Sequence, residues 1–499
     1  PLYSSAASDV YKRQVLGPVL FLILQQLEAP TDMSQPAYDI LCVTLWMALW
    51  WVTEVVPIAV TALLPIVLFP LTGAVDISTT TASYGHKYVF LYMGGFILAI
   101  AIEKWNLHKR IALHIIKIIG TNVKNIILGF MVATAFLSMW ISNTATSVMM
   151  LPIGMSIVSQ LKDNPNTNTD ENMIFGKALM LGIAYSASIG GVATLIGTPP
   201  NLVFAGYIEE VYAIDISFFQ WFKFGFPISL ILLVISWWYL TNIAYSFKQK
   251  DFPGGKAEIN RLLKQLGPMQ REEKTVLAVF TTTAICWITR SFFLENWFPG
   301  IDDTIIAIAA GILLFTLNAS GKGKRILHWD EAVNIPWGII LLFGGGMALA
   351  SGFEVTGLAK WFGLQMTLLD ALPLLLIILL VIFSVNFITE LTSNLATTAM
   401  LLPILAPIAL ELDLNPYMLL VATTVAASCA FMLPVATPPN AVVFGSGYLK
   451  IPDMVKAGFW MNIVSIILLT LFVYFMLPFV WDFDPYGFSK KFVTEGISG

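Results

Sequence analysis

Long runs of apolar residues, separated by short polar segments, fill most of the chain after residue 15. A helix needs about 20 such residues to cross a bilayer, so the runs predict membrane-spanning helices. We predict eleven of them, at residues 15–30, 37–52, 55–72, 88–103, 175–207, 219–243, 275–292, 302–318, 336–352, 417–444 and 457–480. The fold class predicted is an all-α polytopic membrane protein.

Two further apolar runs, at residues 125–160 and 372–410, are interrupted in the middle by polar clusters. The first cluster is Ser142-Asn143-Thr144 and the second is Ser393-Asn394. Hydroxyl and amide groups in hydrocarbon cost free energy unless they are hydrogen-bonded. A chain that turns back at each cluster would bring helix ends and polar side chains together. We therefore expect two re-entrant hairpins with these clusters at their tips.

Two of the predicted spans contain a Thr-Pro-Pro-Asn motif, at residues 198–201 and 437–440. Proline removes a backbone donor and clashes with the preceding turn, so the chain should be unwound there. Unwound carbonyls can bind a cation, and helix N-termini can face an anion. A single Pro-Pro is more typical of a helix kink, and a single Ser-Asn-Thr of an interhelical hydrogen bond. Because both motifs occur twice, we predict that four broken elements converge on one substrate site.

The duplicated motifs belong to an internal repeat. An offset of 251 residues (393 − 142) relates the two Ser-Asn pairs, and the same offset relates Gly94-Gly95 to Gly345-Gly346. The proline motifs are 239 residues apart (437 − 198), because the linker 161–172 is longer than its counterpart at 411–416. Each copy would hold five spans and one hairpin. An odd number of spans predicts two repeats of inverted topology, as in secondary transporters.

Positive charges are sorted between the predicted loops. With the N-terminus inside, the predicted outer loops between spans contain only Lys87 and Lys360. The inner segments 104–124, 246–274 and 321–325 are rich in lysine and arginine. The positive-inside rule therefore predicts a cytoplasmic N-terminus, an external C-terminus and a location in the inner membrane of a bacterium.

Composition excludes several classes of protein. Charged residues make up 12% of the 499 residues, about half the usual share in a soluble domain, and the net charge of −4 gives no basic surplus for nucleic acid. No metal-binding or disulfide pattern connects the three cysteines and four histidines. No histidine or cysteine lies near the paired tips, and no nucleotide-binding loop is present, so neither an enzyme nor a primary pump is expected.

The motif segments are almost free of charge. Residues 125–161, 178–208 and 417–449 contain no acidic or basic residue and no histidine, and residues 371–410 contain only Glu390. A bound anion would therefore find no lysine or arginine there, and helix dipoles supply only about half a charge each. A small hard cation bound by hydroxyl, amide and carbonyl oxygens could supply the rest. Coupling to Na⁺ follows as a hypothesis, and Glu390 is expected to orient the second tip.

Five stretches resemble the divalent anion/sodium symporter (DASS) family, which includes bacterial sodium–dicarboxylate symporters. They are residues 50–57, 141–146, 196–201, 388–394 and 435–440, and the resemblance extends over nearly all of residues 37–480. It implies a homodimer that carries di- or tricarboxylates with two or more Na⁺ by an elevator mechanism. The implied division is a scaffold (15–123 and 261–370), a transport part (124–260 and 371–482) and a tail (483–499). Residues 1–14 are expected to be a non-native segment.

The resemblance also implies the residues of the sites. One sodium site would use Ser138, Ser142, Asn143 and Gly197, and a second would use Thr389, Thr392, Asn394 and Ala436. Substrate carboxylates would meet Ser142, Asn143, Thr144, Thr198, Ser393, Asn394, Thr437 and Pro438. Leu395 departs from the family pattern, which has a threonine there, and this leaves citrate, sulfate or another anion open as substrate. A sodium-independent dicarboxylate exchanger of the same fold is a second alternative.

Overall fold

The computed structural model of the chain describes residues 14–120, 122–160, 170–245, 247, 255–321, 323–365 and 372–486. Apart from Gln14, the expected non-native segment lies outside the described residues, as do most of the linker 161–172 and of the tail 483–499. Within the described ranges the chain is mostly helical, and Asn318 and Arg325 form an isolated antiparallel bridge. The predicted all-α class is confirmed.

The helices follow one another with short connections. The first half of the chain forms α1 (Gln14–Leu24), α2 (Gln35–Thr53), α3 (Ile58–Thr61), α4 (Leu64–Thr72), α5 (Ile77–Ala82), α6 (Lys87–Lys104), α7 (Leu107–Ile119), α8 (Val123–Ser138), α9 (Asn143–Val158), α10 (Glu171–Val192), α11 (Pro199–Tyr212) and α12 (Phe218–Tyr239). The second half forms α13 (Gly255–Gln265), α14 (Arg271–Thr289), α15 (Glu295–Trp297), α16 (Asp303–Thr316), α17 (Trp329–Ala332), α18 (Trp337–Thr356), α19 (Leu358–Leu364), α20 (Leu374–Ile388), α21 (Asn394–Glu411), α22 (Tyr417–Ala427), α23 (Pro438–Phe444), α24 (Ile451–Leu471) and α25 (Leu477–Trp481).

Eight of the described helices are long and apolar enough to cross a membrane by length and composition. They are α2, α10, α18, α21 and the helical segments 77–104, 218–244, 271–297 and 451–481. The remaining predicted spans and hairpin arms form shorter apolar helices. The count of eleven spans and the inverted layout of the repeats therefore stay predictions. The order of elements does correspond between the halves, because α6 to α12 follow one another as α18 to α24 do.

Six helices lie outside the predicted spans and hairpins. They are α7, α13 and α19, and the short helices α5, α15 and α17. In α7 the apolar residues recur every three or four positions, and Leu107, Ala112 and Ile116 are buried while lysines and arginine occupy the other face. A helix that buries only one apolar face contains no continuous apolar run, so such runs do not predict it.

Both hairpins and both proline breaks occur where the sequence predicts them. The first hairpin is α8 and α9, and the second is α20 and α21. Each hairpin packs on the first part of the broken helix in its own half, which is α10 or α22. Each also crosses to the other half, because α9 packs on α23 and α21 packs on α11. The four interrupted elements therefore form one packed unit.

Close backbone approach at small residues allows this packing. A Cβ atom at Gly190 of α10 would lie 2.3 Å from the carbonyl oxygen of Ala135 in α8. On the other side of the molecule, a Cβ atom at Gly94 of α6 would lie 2.7 Å from Ala307 of α16. Only glycine fits at such distances, as is common between membrane helices.

Candidate functional site

The first hairpin tip turns between Ser138, the last residue of α8, and Asn143, the first residue of α9. Ser142 caps α9, because its hydroxyl oxygen accepts a hydrogen bond from the backbone N–H of Ala145 at 3.2 Å. A serine at this position satisfies one of the free donors of the helix N-terminus. The Ser-Asn-Thr cluster therefore opens a helix, with Thr144 exposed and the other two residues half-buried.

Three oxygen atoms surround the end of the Asn143 side chain. The Ser138 hydroxyl lies 2.6 Å from the amide and donates to Ala187 O at 2.7 Å. With its nitrogen turned to this side, the Asn143 amide donates to Ser138 Oγ at 2.6 Å and to Ala187 O and Gly197 O at 3.2 Å each. This orientation satisfies the hydrogen bonds of the amide, and a bound cation would turn the amide oxygen to this side so that four oxygen atoms converge. Four converging neutral oxygens are a donor set that suits a hard cation.

The first broken helix supplies the carbonyls of this cluster. Helix α10 ends at Val192 and α11 begins at Pro199, so residues 193–198 form a segment of turns between the two helices. The Thr194 hydroxyl donates to Met139 O at 2.5 Å, which ties the break to the hairpin tip. A Cβ atom at Gly197 would lie 2.5 Å from Gly191 O, so the chain can fold this tightly only with glycine there.

The second tip repeats part of this arrangement. Thr389 is the counterpart of Ser138, and its hydroxyl lies 2.7 Å from Asn394 Oδ1 and 3.1 Å from Ala427 O. Thr392 is turned to the hairpin itself, since its hydroxyl meets Ile388 O at 3.0 Å and Thr397 Oγ1 at 2.5 Å. The structure therefore brings Thr389 and Asn394 together, while the Thr392 hydroxyl is bonded within the hairpin.

The second break is longer and holds a carboxylate. Helix α22 ends at Ala427 and α23 begins at Pro438. Glu390 Oε1 accepts hydrogen bonds from the N–H groups of Phe431 at 2.8 Å and Met432 at 2.9 Å, and Oε2 accepts one from Leu433 at 3.0 Å. The expectation that Glu390 orients the second tip is thereby extended, because its carboxylate joins the tip to the unwound segment. The backbone N–H groups of residues 431–433 therefore stabilise the negative charge of Glu390.

The asparagines of the two proline motifs brace the breaks in the same way. Asn201 Nδ2 donates to Thr194 O at 2.8 Å and to Gly191 O at 3.3 Å. Asn440 Nδ2 donates to Leu433 O at 3.0 Å and to Ala430 O at 3.4 Å. Both therefore bond to carbonyls seven and ten residues earlier. This shared pattern relates the two breaks structurally as well as in sequence.

The expected substrate residues differ in exposure. Ser142, Asn143, Ser393 and Asn394 are half-buried at the tips, and Thr144 and Pro438 are exposed. Thr198 and Thr437, which precede α11 and α23, are 1% and 3% exposed. Gly197 and Ala436 are also buried, each directly before its threonine. The set thus divides into accessible residues, which are the tip residues and Pro438, and the buried Thr198 and Thr437 directly before α11 and α23.

Two residues of the site were not predicted from the sequence. Asn462 of α24 donates to Glu390 Oε1 at 2.7 Å, and Asn386 of α20 donates to Cys429 O at 2.6 Å. Both amides bond to groups at the second break and are fully buried. The available signal was an amide within an otherwise apolar run, which requires a partner inside the protein.

Two polar-tipped hairpins packed on two broken helices, with an uncharged cluster of oxygen donors between them, define a secondary transporter of the membrane. Residues 9–481 match the family described as the sodium:sulfate symporter transmembrane region, and the chain belongs to this family of transporters.

Curated relatives cover almost the whole chain. The chain is 44% identical over 476 residues to the sodium-dependent dicarboxylate transporter SdcS of Staphylococcus saprophyticus, covering 94% of this chain and 92% of that protein. It is 45% identical over 476 residues, with the same coverage, to the SdcS protein of Staphylococcus aureus strain USA300.

Solved structures share the fold at low sequence identity. The YdaH transporter of Alcanivorax borkumensis superposes with a TM-score of 0.57 at 12% identity, covering 91% of this chain and 100% of that one. The MtrF protein of Neisseria gonorrhoeae superposes with a TM-score of 0.57 at 11% identity, covering 91% and 98%. At such identities the likeness concerns the fold alone.

Proposed function

We propose that the protein is a secondary active transporter that imports di- or tricarboxylates, of the succinate, malate and fumarate type, together with Na⁺. The observation that carries the proposal is the oxygen cluster of Ser138, Ala187 and Gly197 around the Asn143 amide. Neutral oxygens from an unwound segment suit Na⁺. The staphylococcal relatives, named as sodium-dependent dicarboxylate transporters, support the same ion and substrate class.

Two Na⁺ ions would bind at the two tips. The first site consists of Ser138, Ser142, Asn143 and Gly197, and the second of Thr389, Thr392, Asn394 and Ala436. In the second site the Thr389 hydroxyl and the Asn394 amide oxygen already lie 2.7 Å apart. The Thr392 hydroxyl would have to leave Thr397, or Thr392 would contribute its backbone carbonyl.

The substrate would lie between the tips and the two short helices. Its carboxylates would accept hydrogen bonds from Ser142, Asn143, Thr144, Thr198, Ser393, Asn394 and Thr437 and approach Pro438. Helices α11 and α23 would direct the positive ends of their dipoles at the same place, because they begin directly after Thr198 and Thr437. Bound Na⁺ would supply the remaining positive charge, which explains why substrate and ion would bind together.

Alternating access would follow an elevator mechanism within a homodimer. The scaffold would consist of residues 15–123 and 261–370, and the moving part of residues 124–260 and 371–482. The packing of both hairpins with both broken helices supports a single moving unit. The N-terminus would lie in the cytoplasm of a bacterium and the C-terminus outside.

Uptake by proteoliposomes tests this proposal. Protein reconstituted into vesicles is given labelled succinate with an inward Na⁺ gradient, and with choline in place of Na⁺. The expected result is accumulation only with Na⁺, and competition by malate and fumarate. Uptake that is the same in choline would overturn the coupling to Na⁺.

Counterflow separates symport from exchange. Vesicles loaded with unlabelled succinate are diluted into labelled succinate without Na⁺. A sodium-coupled symporter gives little exchange under this condition, whereas a sodium-independent exchanger gives full exchange. Inhibition of the Na⁺-dependent uptake by citrate or sulfate, but not by malate, would instead indicate an anion carrier of different specificity.

A further inference from the structure

Away from the candidate transport site, a groove of about 540 Å³ runs between the C-terminal end of α12 and the N-terminal half of α24. Its walls are formed by Trp238 and Ile243 on one side and Lys456 and Trp460 on the other. The Tyr239 hydroxyl donates to Ala457 O at 3.2 Å and closes the floor between the two helices.

The groove opens to the surroundings of the protein. Of the most apolar 18-residue stretch in the helical segment 451–481, only 33% is buried inside the molecule. Trp238 and Trp460 are 52% and 55% exposed, one on each wall. Trp238 lies in the last turn of α12, and a large exposed aromatic side chain at the end of a membrane helix is typical of the level of lipid headgroups.

The chemistry of the groove changes along its length. Lys456, Trp460 and Val464 are four residues apart, so they lie on one face of α24 and extend over about 12 Å along the helix. Lys456 occupies the polar end, next to the first turn of α24, and Ile235 and Val464 line the apolar end. A molecule that fits this groove has a charged head and an apolar tail.

The basic side chain that lines the polar end of the groove is Lys456. Asp453, the nearest acidic residue on α24, is paired with Lys177 at 2.8 Å and accepts the Lys450 N–H at 3.1 Å. In the part of the chain that the structure describes, Lys456 is exposed and makes no ion pair. Among the described residues no carboxylate neutralises the Lys456 ammonium group, so this group can meet a negatively charged head.

We propose that this groove binds a phospholipid with an anionic headgroup. The headgroup phosphate and its second anionic or hydroxyl group would meet Lys456, the glycerol region would lie between Trp238 and Trp460, and an acyl chain would follow Ile235 and Val464. A juxtamembrane lysine is attracted to anionic lipid, and the apolar end supplies affinity for the acyl chain that a free phosphate lacks. The lipid would bridge α12 and α24.

Thermal unfolding of the purified full-length protein in detergent tests the proposal. Phosphatidylglycerol, phosphatidylcholine and glycerol-1-phosphate are added in separate samples. A ligand that binds the folded state raises the unfolding temperature Tm. We expect phosphatidylglycerol to raise Tm by several degrees, phosphatidylcholine to raise it less, and glycerol-1-phosphate to have no effect.

Three variants make the result specific. Lys456→Gln removes the free charge, and Ile235→Trp fills the apolar end while keeping the charge. Lys324→Gln is the matched control, because Lys324 is an exposed lysine that does not line the groove. We expect the first two variants to lose at least half of the shift caused by phosphatidylglycerol, and the control to keep it.

Several results would overturn the proposal. Equal shifts in all four proteins would mean that anionic lipid acts through the general charge of the surface. An equal shift with glycerol-1-phosphate would reduce the site to an anion site without a lipid. Disulfide-linked dimers formed by Trp460→Cys in vesicles would show that a second copy of the chain covers the groove.

Discussion

Asn462 Nδ2 donates a hydrogen bond of 2.7 Å to Glu390 Oε1, and this contact joins α24 to the tip of the second hairpin. The same carboxylate accepts the N–H groups of residues 431–433, which have no helical partner in the unwound segment. Buried donors without partners cost free energy, so the glutamate takes the place of the missing helical turn. The second break is therefore held open by side chains.

We expect Glu390→Gln to impair both stability and transport. The amide keeps one acceptor oxygen but turns an NH₂ group toward backbone donors, and an unsatisfied buried group costs about 1–3 kcal/mol. Tm should fall by several degrees, and Na⁺-dependent uptake should fall at least about tenfold. Glu354→Gln is the matched control, because Glu354 lies on an exposed face of α18. Unchanged Tm and uptake in Glu390→Gln would contradict the bracing role.

Ser138→Ala tests the first sodium site. The substitution removes one of the oxygens around the Asn143 amide and leaves the packing almost unchanged. A ligand oxygen contributing about 1.4 kcal/mol changes affinity about tenfold, so the Na⁺ concentration for half-maximal uptake should rise by roughly that factor. Maximal uptake at high Na⁺ should change much less.

Ser147→Ala serves as the control for that measurement. The Ser147 hydroxyl donates to Asn143 O within α9 at 2.9 Å and does not face the cluster. Its Na⁺ dependence should match that of the unchanged protein. Equal effects of the two substitutions would argue against a sodium ligand at residue 138.

Gly197→Ala tests the tight turn of the first break. The added Cβ would lie 2.5 Å from Gly191 O, so the backbone that carries the Gly197 carbonyl must move. We expect loss of Na⁺-dependent uptake with protein still present in the membrane. Gly95→Ala adds a Cβ that would lie 3.7 Å from Ile196 Cδ1, an ordinary contact, and should keep uptake. Normal uptake by Gly197→Ala would exclude a role for this carbonyl geometry.

Leu395→Thr tests substrate preference. Leu395 is the second residue of α21, next to the tip, and is 4% exposed. A hydroxyl there adds a donor at the N-terminal turn, where the substrate would lie. We expect the ranking of succinate, citrate and sulfate as inhibitors to change more than the amount of protein. Leu402→Thr, an equally buried change two turns further along α21, should lower stability without altering that ranking.

The sequence predicts the tips and the breaks because serine, asparagine and paired proline are rare in apolar runs and need a local reason. The sequence does not predict which side chains and backbone groups contact the tips and the breaks. Glu390 bonds to residues more than 40 positions away, and no local pattern encodes such a contact. The amphipathic helices α7, α13 and α19 were missed for another reason, since their apolar residues form a stripe and no run. The hydrogen bond between Thr392 and Thr397 also depends on side-chain rotation, which the sequence does not determine.

Arg290→Gln tests a buried ion cluster that joins the two proposed parts of the molecule. Arg290 is 4% exposed, donates to Asp215 Oδ2 at 2.7 Å and lies 3.2 Å from Asp303 Oδ1. Asp215 lies in the connection between α11 and α12, whereas Asp303 begins α16. Removing one partner of a buried pair leaves an uncompensated charge and costs about 3–5 kcal/mol.

We therefore expect a marked fall in Tm for Arg290→Gln. Arg325→Gln is the control, because Arg325 is exposed and, within the described residues, its side chain bonds only to Thr316 O and Asn318 Oδ1. This predicts a change of about 0.5 kcal/mol or less. The double variant Arg290→Gln with Asp303→Asn removes the unpaired charge as well and should recover part of the loss. A Tm for Arg290→Gln equal to that of the control would show that Arg290 is not needed to compensate Asp303, and that Lys87, 3.0 Å from Asp215 Oδ1, is sufficient for Asp215.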